Sequence, residues 1–346
     1  MTYAILYHPG HNRVYFETAQ KLALAEFEIA AAGISVSCGD LRNESIGGIV
    51  YLQFETEGVL TAQDVWVLTG LSFVYAIFAV EKMQEEVYLR PLESARNGFV
   101  DEGISSIMKY TGKTNEVFTR MLVNIAYHTQ TAGAEGVRLL DPVAGKGTTL
   151  YEGLAMGFHV YGVEVGDKVV TEAYHFMKRF LENARYKFDL QSQRISGAQK
   201  SFSAMRHSFA IAPTKEAYKA KDTRTFEFVA GNSQHVGHFY KKNTFHMIVG
   251  DLPYGVQHGN VTNEKQTNLT RNPAELLKTC LPAWGQVLCK GGALVLAWNS
   301  HVLPRGKMIE ILVAAGLIVK DDGAYAALAH RVDQAILRDV VVAVKA

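Results

Sequence analysis

The feature that most constrains this chain is the alternation of short apolar runs with helical stretches beyond residue 116. A helical pattern occupies Glu116 to Thr129. After it come V-R-L-L, a helix, H-V-Y-G-V-E-V, a helix, F-E-F-V-A-G, then F-H-M-I-V-G-D, a helix, and A-L-V-L-A-W. Such alternation predicts a parallel sheet with helices on both faces. The end of the chain breaks the pattern. L-I-V-K and A-I-L-R-D-V-V-V-A-V-K stand too close for a full crossover helix, so the last strand is expected to run antiparallel to its neighbour.

The first hundred residues alternate differently. Y-A-I-L-Y reads as a strand, F-E-T-A-Q-K-L-A-L-A-E-F-E-I-A-A-A-G as a helix ending at Gly33, and I-S-V-S-C and G-I-V-Y-L-Q-F as strands around a polar turn. T-A-Q-D-V-W-V-L-T-G reads as a Thr-capped helix and F-V-Y-A-I-F-A-V as a closing strand. The order β-α-β-β-α-β is that of a ferredoxin-like α+β unit. With 346 residues, 48% of them hydrophobic, the chain is long enough for two cores. The expected division is an N-terminal domain over residues 1–82, a charged connector over 83–113 and an α/β domain over 114–346.

Charge and cysteine content narrow the classes. Lys and Arg (35) nearly balance Asp and Glu (34), so any basic surface must be local. Three cysteines with no C-x-x-C pair argue against a disulfide framework or a zinc cluster and fit a reducing cytoplasm. The start, M-T-Y-A-I-L-Y-H-P-G, lacks the basic n-region of a signal peptide. The longest apolar stretch, Val65 to Val80, is interrupted by Thr69, Gly70 and Ser72 and is too short to span a membrane. A soluble protein with no membrane partner and no metal is expected.

The loop D-P-V-A-G-K-G-T-T-L-Y-E-G follows the first α/β strand. It is no P-loop, because no glycine stands four residues before the Gly-Lys pair. Nor is it a dinucleotide fingerprint, because Leu150 takes the third glycine position. Asp141 ends the strand, where a carboxylate can face a cationic ligand. Glu164 closes the next strand, where an acid accepts hydrogen bonds from two ribose hydroxyls. G-D-L-P-Y-G follows the fourth strand, at the carboxyl edge where open α/β sheets bind ligands. Together these suggest a nucleoside carrying a charged amino-acid tail, and S-adenosylmethionine fits.

The pair D-P-V-A-G-K-G-T and D-L-P-Y-G resembles the class I amino-methyltransferases, especially the THUMP-associated tRNA guanosine N2-methyltransferases. Y-F-E-T-A-Q-K-L-A-L-A-E-F-E looks like the start of their N-terminal ferredoxin-like region, and K-Y-T-G-K-T-N-E-V-F-T-R stands where they carry a helix that packs against the cofactor. The resemblance covers most of residues 105–346 and, more loosely, residues 1–80. It implies a Rossmann-like methyltransferase sheet, mostly parallel with the last strand antiparallel. It further implies S-adenosylmethionine as cofactor, held by Asp141, Pro142, Ala144, Gly145, Gly147, Thr148, Glu164, Val165, Asn232, Ser233 and Asp251, with catalysis by Asp251, Pro253 and Tyr254. Asn232 stands where the family often has Asp, and its carbonyl can still accept a bond from an adenine amine. A full THUMP module is absent between the two parts, so a small partner subunit that replaces it is one expectation.

The second motif carries the chemistry. An exocyclic base amine is a poor nucleophile because its lone pair is delocalised into the ring. The Asp251 carboxylate and the Leu252 or Pro253 carbonyl would accept from its two hydrogens, and Tyr254 would offer a face for base stacking. Asp251 would also take the released proton. The alternative is that D-L-P-Y-G is an ordinary strand-ending turn. Residues 185–225 carry nine Lys and Arg against three acids, with Tyr186, Phe188, Phe202 and Phe209 interleaved. This basic insertion reads either as an RNA-binding element or as solvated surface.

Other residues carry less. Lys146 reads as a surface lysine on a glycine turn, or as a contact to the cofactor carboxylate or a substrate phosphate. His235 and His238 lack the third ligand of a metal site. Trp298 and Asn299 either line the base pocket or serve packing and capping. His330, Arg331 and Asp333 could reach the substrate, or Arg331 and Asp333 could form a surface ion pair. The expectation is an RNA methyltransferase acting on an exocyclic amine, most specifically guanine N2 in tRNA. A DNA amino-methyltransferase acting on adenine N6 or cytosine N4 is the first alternative, and a non-catalytic nucleic-acid-binding protein of the same fold is the second.

Overall fold

The computed structural model describes residues 1–8, 14–94, 97–107, 113–133, 135–254 and 272–346. Gly255 of the D-L-P-Y-G corner, residues 109–112 of the K-Y-T-G-K-T stretch, the Lys200 side chain and parts of the 83–113 connector lie outside the described residues. The chain forms two compact units, one of Met1–Asn97 with Asp322–Leu328 and one of Gly98–Asp321 with Ala329–Ala346.

The first unit runs β1 (Thr2–Tyr7), α1 (Val14–Ala31), β2 (Cys38–Ile46), β3 (Ile49–Thr56), α2 (Ala62–Leu68), β4 (Val74–Met83) and β5 (Glu86–Pro91). Its sheet has the order β2-β3-β1-β4-β5, with every pair antiparallel. The central strand buries Tyr3, Ala4 and Ile5, and Phe27 of α1 packs on Phe54 of β3. Thr61 and Asp64 form a reciprocal capping box that starts α2.

Two elements differ from the sequence reading. The stretch I-S-V-S-C is not the second strand: β2 begins at Cys38 and uses the polar residues read as a turn. It lies at the sheet edge, where polar residues are favoured because they blunt unpaired backbone, and it turns into β3 through Gly47 and Gly48, both at positive φ. The charged run Glu86–Pro91, read as connector, is the opposite edge strand for the same reason.

The second unit contains β6 (Arg138–Asp141), β7 (His159–Glu164), β8 (Lys187–Ser196), β9 (Ser203–Ala212), β10 (Arg224–Ala230), β11 (Phe245–Asp251), β12 (Leu288–Asn299), β13 (Leu317–Lys320), β14 (His330–Arg331) and β15 (Leu337–Lys345). Its helices are α3 (Ile104–Ile107), α4 (Glu116–Thr129), α5 (Thr148–Ala155), α6 (Asp167–Asn183), α7 (Lys215–Lys219), α8 (Val236–Phe239), α9 (Pro273–Val287) and α10 (Arg305–Ala314). The sheet order is β13-β15-β12-β11-β6-β7-β10-β9-β8, with β14 on β15. The five strands from β12 to β10 are parallel. β15 runs antiparallel to both β12 and β13, as the crowded end of the sequence required. This is a methyltransferase-like α/β fold with a mixed sheet.

The register places the site. β6 comes first in this sheet and lies at its centre, and the chain steps outward through β7 and β10 before crossing back to β11. Gly162 pairs with Asp141, Glu164 with Ala230, and Ile248 with Leu140. The carboxyl ends of β6, β7, β10 and β11 therefore open together at the topological switch point, where a crevice forms between diverging connections. Among the described residues, no helix is long and apolar enough to cross a membrane.

The basic insertion is the β8–β9 hairpin, which adds two antiparallel strands beyond β10. Its aromatics are packed rather than displayed. Phe209 is fully buried against Phe226, Phe188 and Tyr174, Tyr186 stacks on Phe180, and Phe202 lies on His235. Phe209 is thereby removed as a base-stacking ring, while Tyr186, Phe188 and Phe202 are half-buried. Alternation along a hairpin turns them toward helix α6 and strand β10, and a one-dimensional count of aromatics does not register that alternation.

Candidate active site

The loop after β6 is shaped by its glycines. Gly145 and Gly147 hold φ of 51° and 92°, a region that side-chain-bearing residues disfavour, and Gly147 caps α5. The Ala144 N–H donates to the Val163 carbonyl at 3.0 Å, fastening the bend to the neighbouring strand. Asp141 lies behind this bend, 3% exposed, and its Oδ1 accepts from the Val143 N–H at 3.0 Å. Burial pushes its carboxyl up to about 7, against the Thr149 hydroxyl and the Val143 amide and with help from the charges of Asp251 and Glu164.

Glu164 ends β7 half-buried. Its Oε2 accepts from the Gly145 N–H at 3.1 Å and its Oε1 from the Gly166 N–H at 2.8 Å. Burial raises its proton affinity, and the Gly166 and Gly145 amides oppose that. A carboxylate offers about four acceptor positions. Two amides leave capacity for hydroxyl donors of a ligand.

Asp251 ends β11 and is also half-buried. Tyr254 donates its hydroxyl to Oδ1 at 2.5 Å, and Thr114 donates to Oδ2 at 2.6 Å. Burial raises the Asp251 carboxyl, while the Arg338 charge and the Thr114 and Tyr254 hydroxyls pull it down. The Tyr254 phenol is raised by burial and by the Asp251 charge. The backbone of the corner is anchored by the Leu252 N–H on the Ala297 carbonyl at 2.8 Å.

These carboxyl ends surround a cavity of about 740 Å3, within the ~300–1,000 Å3 of small-molecule sites. Of the residues expected to bind or react, Pro142, Glu164, Val165, Asn232, Ser233, Asp251 and Pro253 line it. Asp141, Ala144, Gly145, Gly147, Thr148 and Tyr254 are not among its lining residues. Asn232 caps the turn after β10, its Oδ1 accepting from the Gln234 N–H at 2.9 Å, and the Ser233 hydroxyl accepts from the buried Trp284 indole at 2.9 Å.

The remaining candidates sort out by contact. Lys146 pairs with Glu172 of α6 at 2.7 Å. Trp298 is fully buried and donates to the Leu303 carbonyl, and Asn299 bonds the Ala335 carbonyl and the Leu337 N–H, so packing and capping account for both. Asp333 accepts from the Ala335 and Ile336 amides, and among the described residues no ion pair joins it to Arg331. His330 contacts the Phe118 ring. His235, which also lines the cavity, stacks on Phe202 at 4.4 Å between ring centroids.

Sequence reasoning missed Thr114 and Arg338, and it named Phe202 only as an aromatic of the basic insertion, not as part of the cavity wall. Arg338 had a signal: it is the one cation in the strand A-I-L-R-D-V-V-V-A-V before the terminal lysine, and a charge in a run of buried residues asks for a partner. Thr114 lies within the stretch whose resemblance pointed to the cofactor, without any sign of which residue would matter.

A family model described as RMKL-like, methyltransferase domain, matches residues 110–303, more than half of the chain. The chain belongs to this family. It is a methyltransferase, and the matched span of this methyltransferase includes the glycine bend, Glu164, Asn232 and Asp251. No curated protein sequence matches it. Among solved structures, a candidate RNA methyltransferase of Pyrococcus horikoshii aligns at 13% identity over 70% of this chain and 96% of its own, with a TM-score of 0.39. A SAM-dependent methyltransferase of Methanosarcina mazei aligns at 14% over 62% and 94%, TM-score 0.36. A TehB-like SAM-dependent methyltransferase of Corynebacterium glutamicum aligns at 13% over 62% and 83%, TM-score 0.33. At these scores the likenesses say nothing of substrate.

Proposed function

We propose that this methyltransferase uses S-adenosylmethionine to methylate an exocyclic amine of an RNA base, guanine N2 of tRNA in the most specific form of the reading. One observation carries it: Glu164, Asn232 and the Asp251–Pro253 corner line the same cavity.

The residues fit this cofactor. Asp141, Glu164 and Asp251 are three enclosed carboxyls, each with proton affinity raised by burial, and a cationic ligand relieves that cost. Glu164 has acceptor capacity for two ribose hydroxyls, and Asn232 would read an adenine amine. When bound, S-adenosylmethionine supplies an electrophilic methyl group on a sulfonium.

The chain's own task is to present the amine. The Asp251 carboxylate and the Leu252 or Pro253 carbonyl accept from its two hydrogens, which draws the nitrogen toward sp³ and localises its lone pair. Burial makes Asp251 the stronger base for the proton that the product amine releases. Tyr254 is tied to Asp251 and carries Arg338 over its ring at 5.2 Å, so a base would stack on the opposite face, worth ~1–3 kcal/mol. Fixed placement of amine and methyl donor supplies much of the rate.

The first unit is read as ferredoxin-like, a domain over residues 1–82, supported by its β-α-β-β-α-β order and the sheet order β4-β1-β3-β2 within the five strands. With no THUMP module, RNA docking would draw on a partner subunit or on the basic hairpin. Incubation with labelled S-adenosylmethionine and either tRNA or duplex DNA, followed by nucleoside mass spectrometry, tests the reading. N2-methylguanosine is the expected product. Label on adenine N6 or cytosine N4 of DNA would replace the substrate, and no binding of S-adenosylhomocysteine by calorimetry would remove the catalytic reading.

A further inference from the structure

Arg338 lies on β15, two strands from β11, and is 8% exposed. Its guanidinium carbon stands 4.4 Å from the centre of the Phe118 ring of α4 and 5.2 Å from that of Tyr254. Placing a guanidinium against two aromatic faces satisfies a cation that is short of hydrogen-bond acceptors. Its buried Nε–H meets no acceptor among the described residues, and no ion pair within 4.0 Å is formed there. The guanidinium donates to the Tyr254 hydroxyl, and a neutral partner leaves its charge to act at longer range. The nearest use of that charge is Asp251, bonded to the same tyrosine.

We propose that Arg338 is a positioning residue for the amine-gripping corner: it holds the Tyr254 ring and supplies the counter-charge of the Asp251 carboxylate. The inference rests on the role proposed for Asp251 in methyl transfer. An aspartate that must accept from an amine has to be ionised, because a protonated carboxyl loses acceptor capacity. Among the described residues, the groups that bear on Asp251 are few. Asp141 at the end of β6 repels it, Thr114 before α4 and Tyr254 donate to it, and Arg338 attracts it. Arg338 is the only cation in that set. Burial and Asp141 would otherwise favour the neutral acid.

The test uses protein labelled with ¹³C at the aspartate carboxyls, with Asp251 assigned by the signal missing from Asp251→Asn. Arg338→Met and Arg338→Gln remove the charge, and Arg338→Lys keeps it. Both neutral variants should raise the titration midpoint of Asp251 by about one pH unit, a tenfold rise in proton affinity, since Arg338 is the first opposing contribution to the rise that burial causes. Arg338→Lys should return the midpoint toward that of the unaltered protein. A structural role alone predicts no such dependence on charge. A folded neutral variant with an unchanged midpoint overturns the proposal, and so does failure of both neutral variants to fold while Arg338→Lys folds. Methyl incorporation into unfractionated RNA separates the two levels. If Asp251→Asn keeps full turnover, the role of Asp251 falls. If Asp251→Asn is inactive while the midpoint ignores Arg338, only the role of Arg338 falls.

Discussion

Asp141→Asn isolates the cost of the carboxyl behind the glycine bend. Asparagine has nearly the same shape and keeps an acceptor for the Val143 amide, but cannot ionise. Burial raises the Asp141 carboxyl from 3.8 to about 7 on folding. Between those values the folded state holds more protons than the unfolded chain, so its stability falls as pH rises through this window. At 1.36 kcal/mol per pH unit the whole effect is about 4 kcal/mol, of which about 2 kcal/mol is lost between pH 5 and pH 7, with a plateau above about pH 8. Urea unfolding followed by circular dichroism at pH 5, 6, 7 and 8 reads it directly. Relative to the unaltered protein, the variant should gain about 2 kcal/mol between pH 5 and pH 7. The same carboxyl links to ligand binding: a cationic methyl donor favours the ionised form, so its affinity should rise with pH through neutrality and lose that part of its pH dependence in the variant. Parallel stability curves for the two proteins from pH 5 to pH 8 would refute the reasoning, because an aspartate already ionised on both sides of folding contributes no slope.

Other substitutions test the neighbouring groups. Asp251→Asn should lower kcat by ~10²–10³, as loss of a group that acts in the transition state does, and steady-state kinetics that show an unaltered kcat would count against the amine grip. Glu164→Gln should weaken S-adenosylhomocysteine binding about 10- to 100-fold in calorimetry, the worth of a charge-assisted hydrogen bond, and equal affinities would take Glu164 out of the ribose site. Phe209→Ala should cost ~3–5 kcal/mol in denaturant unfolding, since the ring is fully buried in the hairpin. A variant of normal stability that instead lost RNA affinity would restore the base-stacking reading of that aromatic.

How much of this was legible in the sequence depends on whether a property is local. The parallel strands were, because V-R-L-L, F-H-M-I-V and A-L-V-L-A-W, apart from Arg138 and His246, are runs of buried apolar residues. So were Glu164 and Asp251, since acids that end such strands fall at the carboxyl edge whatever the loops do. The edge strands β2 and β5 were not, because an edge needs polar residues and so imitates a turn or a linker. The hairpin aromatics misled for a related reason: side-chain facing is set by pairing register, and Phe209 turns inward only because β9 pairs with β10 opposite Phe226. Arg338 lay furthest from reach. It meets Tyr254 from 84 positions away, through β15 inserting between β12 and β13, a topology that no local pattern encodes. The D-L-P-Y corner is thus readable as a motif, while the charge proposed to tune it comes from β15, a strand antiparallel to the central five. On the proposed reading, the motif sets which atoms such a site presents, and the antiparallel strand sets how they ionise.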